Sequence, residues 1–175
     1  MHCYGKAILY IYPVLEEVAS QIDELVLQKA MASFSDTSSC QAQAERIIDL
    51  IYQKDLLLAL KVCADEVLSQ FGEEDRKCFE YKYFKRKPKS YFEGFDATDR
   101  KYFRRQVRVL DEFCLKLEKR GITREKFEKD YLPMEFIRDL VRRVEKSEKR
   151  ATLFAMQRKK PQNAKKRSAA ESAHA

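Results

Sequence analysis

Apolar residues recur at three- and four-residue steps through most of this chain, the period of amphipathic helices and not of strands. Ala7, Ile8, Ile11, Val14, Leu15, Val18, Ile22, Leu25 and Val26 define a long first helix. Pro13 is an awkward interior residue there, and either kinks the helix or marks its true start. Ser33–Ser39 reads as a polar loop, and Ser38 with Gln41 three residues on fits a capping box opening a second helix over 39–53. Asp55 is placed to cap a third helix with Leu57, Leu58, Leu60, Val62, Cys63, Val67 and Leu68 inside, ending at Gly72. The three are expected to form an antiparallel bundle.

The pattern resumes over 73–84, with acids in the first turn and Lys82 and Lys85 near the end, the polarity a helix dipole favours. A basic turn, Lys85–Ser90, broken by Pro88, and a short aromatic segment, Tyr91–Phe95, follow. Thr98 is an N-cap for a helix over 99–119, and Gly121 a stop signal after it. Phe103, Val107, Leu110, Cys114 and Leu117, with Phe113 alongside, are its expected core stripe. Phe79, Phe84 and Phe92 are also expected in the core, while Tyr91 and Tyr102 fit either core or surface. Thr123 starts a short helix through Tyr131, and Pro133 opens a last one over 133–157. The fold class is therefore all-α. It divides into an acidic helical bundle over 1–71, a basic helix-turn-helix-like segment over 72–121 and C-terminal helices over 122–158. The remainder, 159–175, has no aliphatic residue larger than Ala and reads as a disordered basic tail.

Charge sharpens that division. Residues 1–75 carry 5 Lys/Arg against 13 Asp/Glu, residues 76–120 carry 15 against 7, and residues 121–175 carry 15 against 8. An acidic head followed by a basic body suits a protein-interaction module joined to a polyanion-binding one. No apolar run is long enough to span a bilayer, and no signal-like segment opens the chain, so a cytoplasmic protein is expected. The five Cys have no short pairing, and both His lie at the termini, so no zinc ligand set is apparent; Cys63, Cys78 and Cys114 read as small, reduced core residues. There is no P-loop, no Ser/His or Cys/His arrangement and no metal-ligand spacing, which gives no support to catalysis and none to a cofactor. The close carboxylates Glu73, Glu74 and Asp75 read as solvated or capping groups.

The helix over 99–119 carries a second periodic face. Arg100, Lys101, Arg104, Arg105 and Arg108 crowd its first half, and Asp111 and Glu112 follow. That gradient opposes the helix dipole, which prefers anions at the N-terminus, so an external anion is implied. Lys85, Arg86, Lys87 and Lys89 add a basic turn beside it. Gly72-Glu-Glu-Asp-Arg76, then Tyr81-Lys-Tyr-Phe84, then Thr98-Asp-Arg-Lys-Tyr-Phe-Arg-Arg-Gln106 resembles region 4 of bacterial sigma factors and its stand-alone phage-type relatives, the promoter-reading helix-turn-helix. The resemblance covers roughly 68–120. It implies that 73–84 leads into a helix-turn-helix whose recognition helix is 99–119. The family places a regular scaffold helix between the two, whereas here the interval 87–98 is slightly short and interrupted by Gly94.

The expected function is a DNA-binding transcription regulator. Arg104 and Arg108, one turn apart, would face base edges, with Gln106 beside them only if it turns outward. Arg100, Lys101, Arg105, Lys85, Arg86, Lys87 and Lys89 would neutralise phosphates. The chain lacks the aromatic, basic helix that melts promoters, so its acidic bundle is expected to serve dimerisation or contact with RNA polymerase. The alternative is a non-enzymatic helical adaptor whose acidic and basic faces associate with protein partners, a second copy among them. A third, weaker reading is single-strand stacking on the Tyr/Lys surface.

Overall fold

The computed structural model describes residues 3–32, 39–85, 87–94 and 100–151. They are helical almost throughout, with no strand among them. Helix α1 spans Cys3–Ile11 and is joined to α2, Leu15–Ala32, by a single 3-10 turn at Tyr12–Val14. Pro13 lies in that turn, where its missing N–H costs least. The chain keeps helical backbone angles on both sides, at Ile11 and Leu15, so Pro13 divides one continuous run into two helices.

Helix α3 runs unbroken from Cys40 to Ser69. This corrects the expectation of two helices meeting near Asp55. No Gly or Pro falls in the segment, and Asp55 lies exposed on the outside of the helix. The observed cap is Ser39, whose Oγ accepts from the Ala42 N–H at 3.3 Å; Ser38 lies outside the described residues. Helices α2 and α3 are antiparallel, as the pairs Lys54–Asp23 (2.8 Å) and Lys61–Glu16 (3.2 Å) require. Gly72 does not terminate α3: Gln70 is its C-cap, and Gly72, at φ −66°, is the N-cap of the next helix.

Helix α4, Glu73–Phe79, widens into a π-helical turn over Glu80–Phe84. It ends at Lys85, whose left-handed φ of 52° turns its N–H back to the Glu80 carbonyl at 2.8 Å. A 3-10 turn, Lys89–Phe92, follows, then α5, Arg100–Lys119. Gly121 adopts φ 84°, with the Ile122 N–H donating to the Leu117 carbonyl and the Gly121 N–H to the Glu118 carbonyl. That is a Schellman close, and its usual apolar contact is available because Leu117 and Ile122 are both buried. Thr123 caps α6, Arg124–Lys126, by accepting the Lys126 N–H at 3.2 Å, and the chain continues as a π-helical turn over Phe127–Tyr131. The last helix, α7, covers 135–151. Its expected continuation to 157, the basic tail 159–175, the Ser33–Ser38 loop and Thr98 lie outside the described residues.

Side chains from α1, α2, α3, α4, α5, α7 and the π-helical turn Phe127–Tyr131 share one core, with Ile8, Leu57, Phe79, Phe113, Tyr131 and Ile137 among its most enclosed members. Helix α1 packs on α5 and on the end of α4. The α1–α5 approach is close: a Cβ at Gly5 would overlap the Cys114 Sγ, so a larger residue there must displace that side chain. The part of the hairpin beyond Ile22 and Leu57 contributes no buried residue.

Candidate nucleic-acid interface

Helix α5 is anchored by its C-terminal half. Val109, Leu110, Phe113, Cys114 and Leu117 are buried there, and Tyr4 of α1 donates its hydroxyl to Glu118 at 3.0 Å. The N-terminal turns are covered on one side only. Their buried member is Tyr102, not Phe103 as expected, while Leu110, Phe113, Cys114 and Leu117 of the expected stripe are buried and Val109 joins them. Phe103 is 54 % exposed and Val107 61 %, which corrects the assignment of both to the core. The cause is the course of α1, which crosses from Cys114 toward Tyr83, where Tyr10 meets the Tyr83 ring at 5.0 Å, and so leaves Phe103 and Val107 uncovered.

Where the resembled family places a scaffold helix, the described residues form the single 3-10 turn Lys89–Phe92, tied down by an aromatic ladder. Tyr81, in the π-helical turn after α4, meets Tyr102 at 5.9 Å and Phe92 at 5.3 Å, and Phe92 meets Tyr91 at 5.1 Å. This ladder ties the start of α5 and the 3-10 turn to the end of α4. Tyr102 is buried, and that burial pushes its phenol up to about 12, with the Cys78 thiol a second cause. Tyr91 lies between two ammonium groups, Lys77 at 5.8 Å and Lys87 at 5.6 Å from the ring centroid. Of the other expected core aromatics, Phe79 is buried, Phe84 packs partly buried against the core and Phe92 is half-buried.

The expected cations fall into three groups. Arg100, Lys101, Arg104 and Arg108 are exposed on the N-terminal turns of α5, and Lys85 and Lys87 are exposed on the turn after α4. Arg105 is half-buried and bound to α4: its Nη2 lies 2.5 Å from Glu74 Oε2 and its Nε 3.6 Å from Asp75 Oδ1. Arg108 shares that acid, with Nη2 at 2.9 Å from Asp75 Oδ1. Lys89 opens the 3-10 turn, and Arg86 lies outside the described residues. The acids Glu74 and Asp75 are therefore neither simply solvated nor only capping groups; they are partners of α5. They also supply part of the negative charge that the inverted charge gradient of α5 demands. Arg100 and Arg104 make no ion pair among the described residues.

Gln106 faces inward. It lines a cavity of about 370 Å³ with Tyr10, Lys82, Tyr83, Arg143 and Ser147. Burial raises the Tyr83 phenol there. Gln106 is thus turned away from the face that carries Arg104. Burial also raises the thiols of Cys63, Cys78 and Cys114, the last to about 11, so none is an activated nucleophile. Among the described residues no group of His, Cys, Asp and Glu is arranged to hold a metal ion, and no helix is long and apolar enough to cross a membrane.

No protein-family model, curated protein or solved structure matches this chain.

Proposed function

We propose that this is a cytoplasmic, non-enzymatic DNA-binding regulator, similar to sigma region 4, that reads duplex DNA with the N-terminal turns of α5. The observation that carries the reading is the exposed cationic face of Arg100, Lys101, Arg104 and Arg108 on a helix held rigid by its other half. A helix of that diameter fits the major groove, and the residues of its first turns are the ones that reach base edges. Arg104 and Arg108 are the base-facing pair. Arg100 and Lys101, with Lys85 and Lys87 from the adjoining turn, take phosphates. Arg105 positions α5 through Glu74 and Asp75 and contributes to binding mainly by fixing the helix. RNA polymerase is the protein partner this reading assigns to the acidic N-terminal helices.

The test is fluorescence anisotropy of the full chain on a labelled random duplex between about 50 and 200 mM salt, where several phosphate contacts lose orders of magnitude in affinity. Arg100→Ala/Lys101→Ala is expected to flatten the log–log salt slope by about 1.8, at about 0.9 for each phosphate lost. Binding that is absent at low salt, or a slope indifferent to these changes, refutes the proposal.

A second reading follows from Phe103 and Val107. Apolar surface flanked by Arg100 and Arg104 also suits an acidic amphipathic helix of a protein partner, the adaptor alternative. Under it, Phe103→Ser/Val107→Ser abolishes association while duplex affinity, if any, is unchanged.

A further inference from the structure

Helix α3 is apolar on two faces. One face, with Leu57, Leu60, Ala64 and Val67, is buried in the core. The opposite face carries Ala44, Ile48, Ile51, Leu58 and Val62, all exposed, Ile48 by 62 % and Val62 by 58 %. A surface helix needs one apolar stripe to fold onto its domain, and a second is unexplained by the fold. The spacing of that second stripe is informative. Positions 44, 48, 51, 55, 58 and 62 alternate steps of four and three without a slip, the 3.5-residue repeat of a coiled-coil seam. Asp55 is the one polar member.

We propose that this face pairs with the same face of a second copy, giving a two-fold symmetric, antiparallel α3–α3 dimer. Three observations select a second copy. First, the stripe is self-complementary on reversal, as an isologous contact requires. Laid antiparallel, Ile48 meets Leu58 of the other copy, Ala44 meets Val62, and Ile51 meets Asp55, each twice about the axis. Second, charge selects the direction: a parallel pairing in register would set Asp55 directly against its own copy, while the antiparallel one sets each Asp55 against Ile51 and puts the two carboxylates in separate layers, one on each side of the axis. Third, the area fits. The 19 residues from Ala44 to Val62 rise about 28 Å, and a helix with its side chains is about 10 Å across. A contact of that footprint falls at the small end of specific interfaces, below about 1,200 Å² in total, which suits a reversible dimer and not an obligate one. The α2 partner meets α3 along the Lys54 and Lys61 flank, about a quarter turn from the stripe, and leaves all the stripe residues exposed, so the seam is open.

The proposal is independent of DNA binding and is tested without nucleic acid. Sedimentation of the full chain, 20.7 kDa as a monomer, is followed over a concentration series from about 1 to 200 μM. A mass that rises toward twice the monomer and stops there is expected. Ile48→Glu is expected to weaken the dimer more than about tenfold with the far-ultraviolet dichroism unchanged, because Ile48 is outside the core. Asp55→Leu completes the seam and is expected to tighten the dimer about tenfold, a gain that misfolding cannot imitate. A monomer at every concentration overturns the proposal. So does a dimer indifferent to Ile48→Glu, an Asp55→Leu dimer no tighter than the parent, or a salt-sensitive dimer lost on Arg104→Glu, which would place the contact on the acidic and basic faces instead.

Discussion

Asp75 is the residue on which stability and DNA binding are expected to part. Its carboxylate is only 21 % exposed and holds Arg108 at 2.9 Å and Arg105 at 3.6 Å, while the Arg108 side chain remains 63 % exposed. Asp75→Asn removes one negative charge and keeps the shape. Partly exposed pairs contribute about 0.2–1 kcal/mol each, and Glu74 still holds Arg105. Asp75 also sits in the first turn of α4, where an anion is favoured by a few tenths of a kcal/mol. The substitution should therefore cost about 1 kcal/mol, or roughly 2–4 °C in Tm for a chain of this size. The effect on a bound duplex has the opposite sign. A duplex seated on Arg104 and Arg108 brings backbone phosphates toward Asp75, and two unit charges about 8 Å apart in water repel by about 0.5 kcal/mol. Release of Arg108 from its internal partner adds a similar amount, so duplex affinity should rise about two- to tenfold at low salt and converge with the parent as salt increases. Anisotropy and thermal denaturation on one preparation read both effects, with Glu17→Gln on α2 as a remote charge control. Affinity that falls or stays level in a folded Asp75→Asn protein refutes the assignment of α5 as the polyanion face.

Gly5→Ala sets two effects of known size against each other: a helical Gly-to-Ala change gains up to about 1 kcal/mol, but the new methyl overlaps Cys114 Sγ, and overpacking costs about 1–3 kcal/mol. Net destabilisation of about 1 kcal/mol in urea unfolding is expected, partly relieved in Gly5→Ala/Cys114→Ala, and a stabilised Gly5→Ala protein would mean that α1 does not seat on α5. Tyr102 and Tyr131 are buried with phenols pushed up to about 12, by burial first and then by Cys78 and Asp130 respectively. A raised folded pKa means the native state keeps protons the unfolded chain has lost, so this stability is whole below pH 10 and falls between pH 10 and 12 by up to about 1.4 kcal/mol per pH unit for each tyrosine; thermal denaturation across that range checks it, and a flat Tm would show that the two rings are solvated.

The helix ends at Gly121 and Thr123 were legible because each is dictated by one residue with one job, whereas Gly72, expected to stop α3, is instead the N-cap of α4. Gly121 supplies a positive φ and Thr123 a hydroxyl acceptor, and both do so where their types predict. The sequence of α3 suggests two helices for a physical reason. With apolar residues on both its faces the segment has no single stripe to follow, and Asp55 imitates a cap when it is only the polar member of the outer stripe. Absence of Gly and Pro between Cys40 and Ser69 was the signal for continuity, and it outweighs an isolated acid in mid-run.

The site was legible in its residue types and not in its orientation. Near the N-terminus of α5 two apolar stripes compete, one through Phe103 and Val107 and one through Tyr102 and Val109, and they merge farther along at Leu117. Periodicity cannot choose between them, since both obey the same 3.6-residue step; the choice is made by what covers the helix, and Tyr81 covers Tyr102 while α1 turns away from Phe103. A rotation of about one residue spacing follows, and it has two consequences for the cations. It brings Arg105 within reach of Glu74 and Asp75, and it leaves Arg104 beside exposed apolar surface. The acids around residue 74 and the cations around residue 105 belong to opposite sides of the sharp charge break near residue 75, and only the folded chain brings them together. Part of the cationic excess of α5 is thus balanced internally, and the balance is local: it acts at Arg105 and Arg108 and not at Arg100 or Arg104. An external anion or acidic partner is therefore expected to engage the first turn of α5 first, with Arg108 recruited only as Asp75 gives it up.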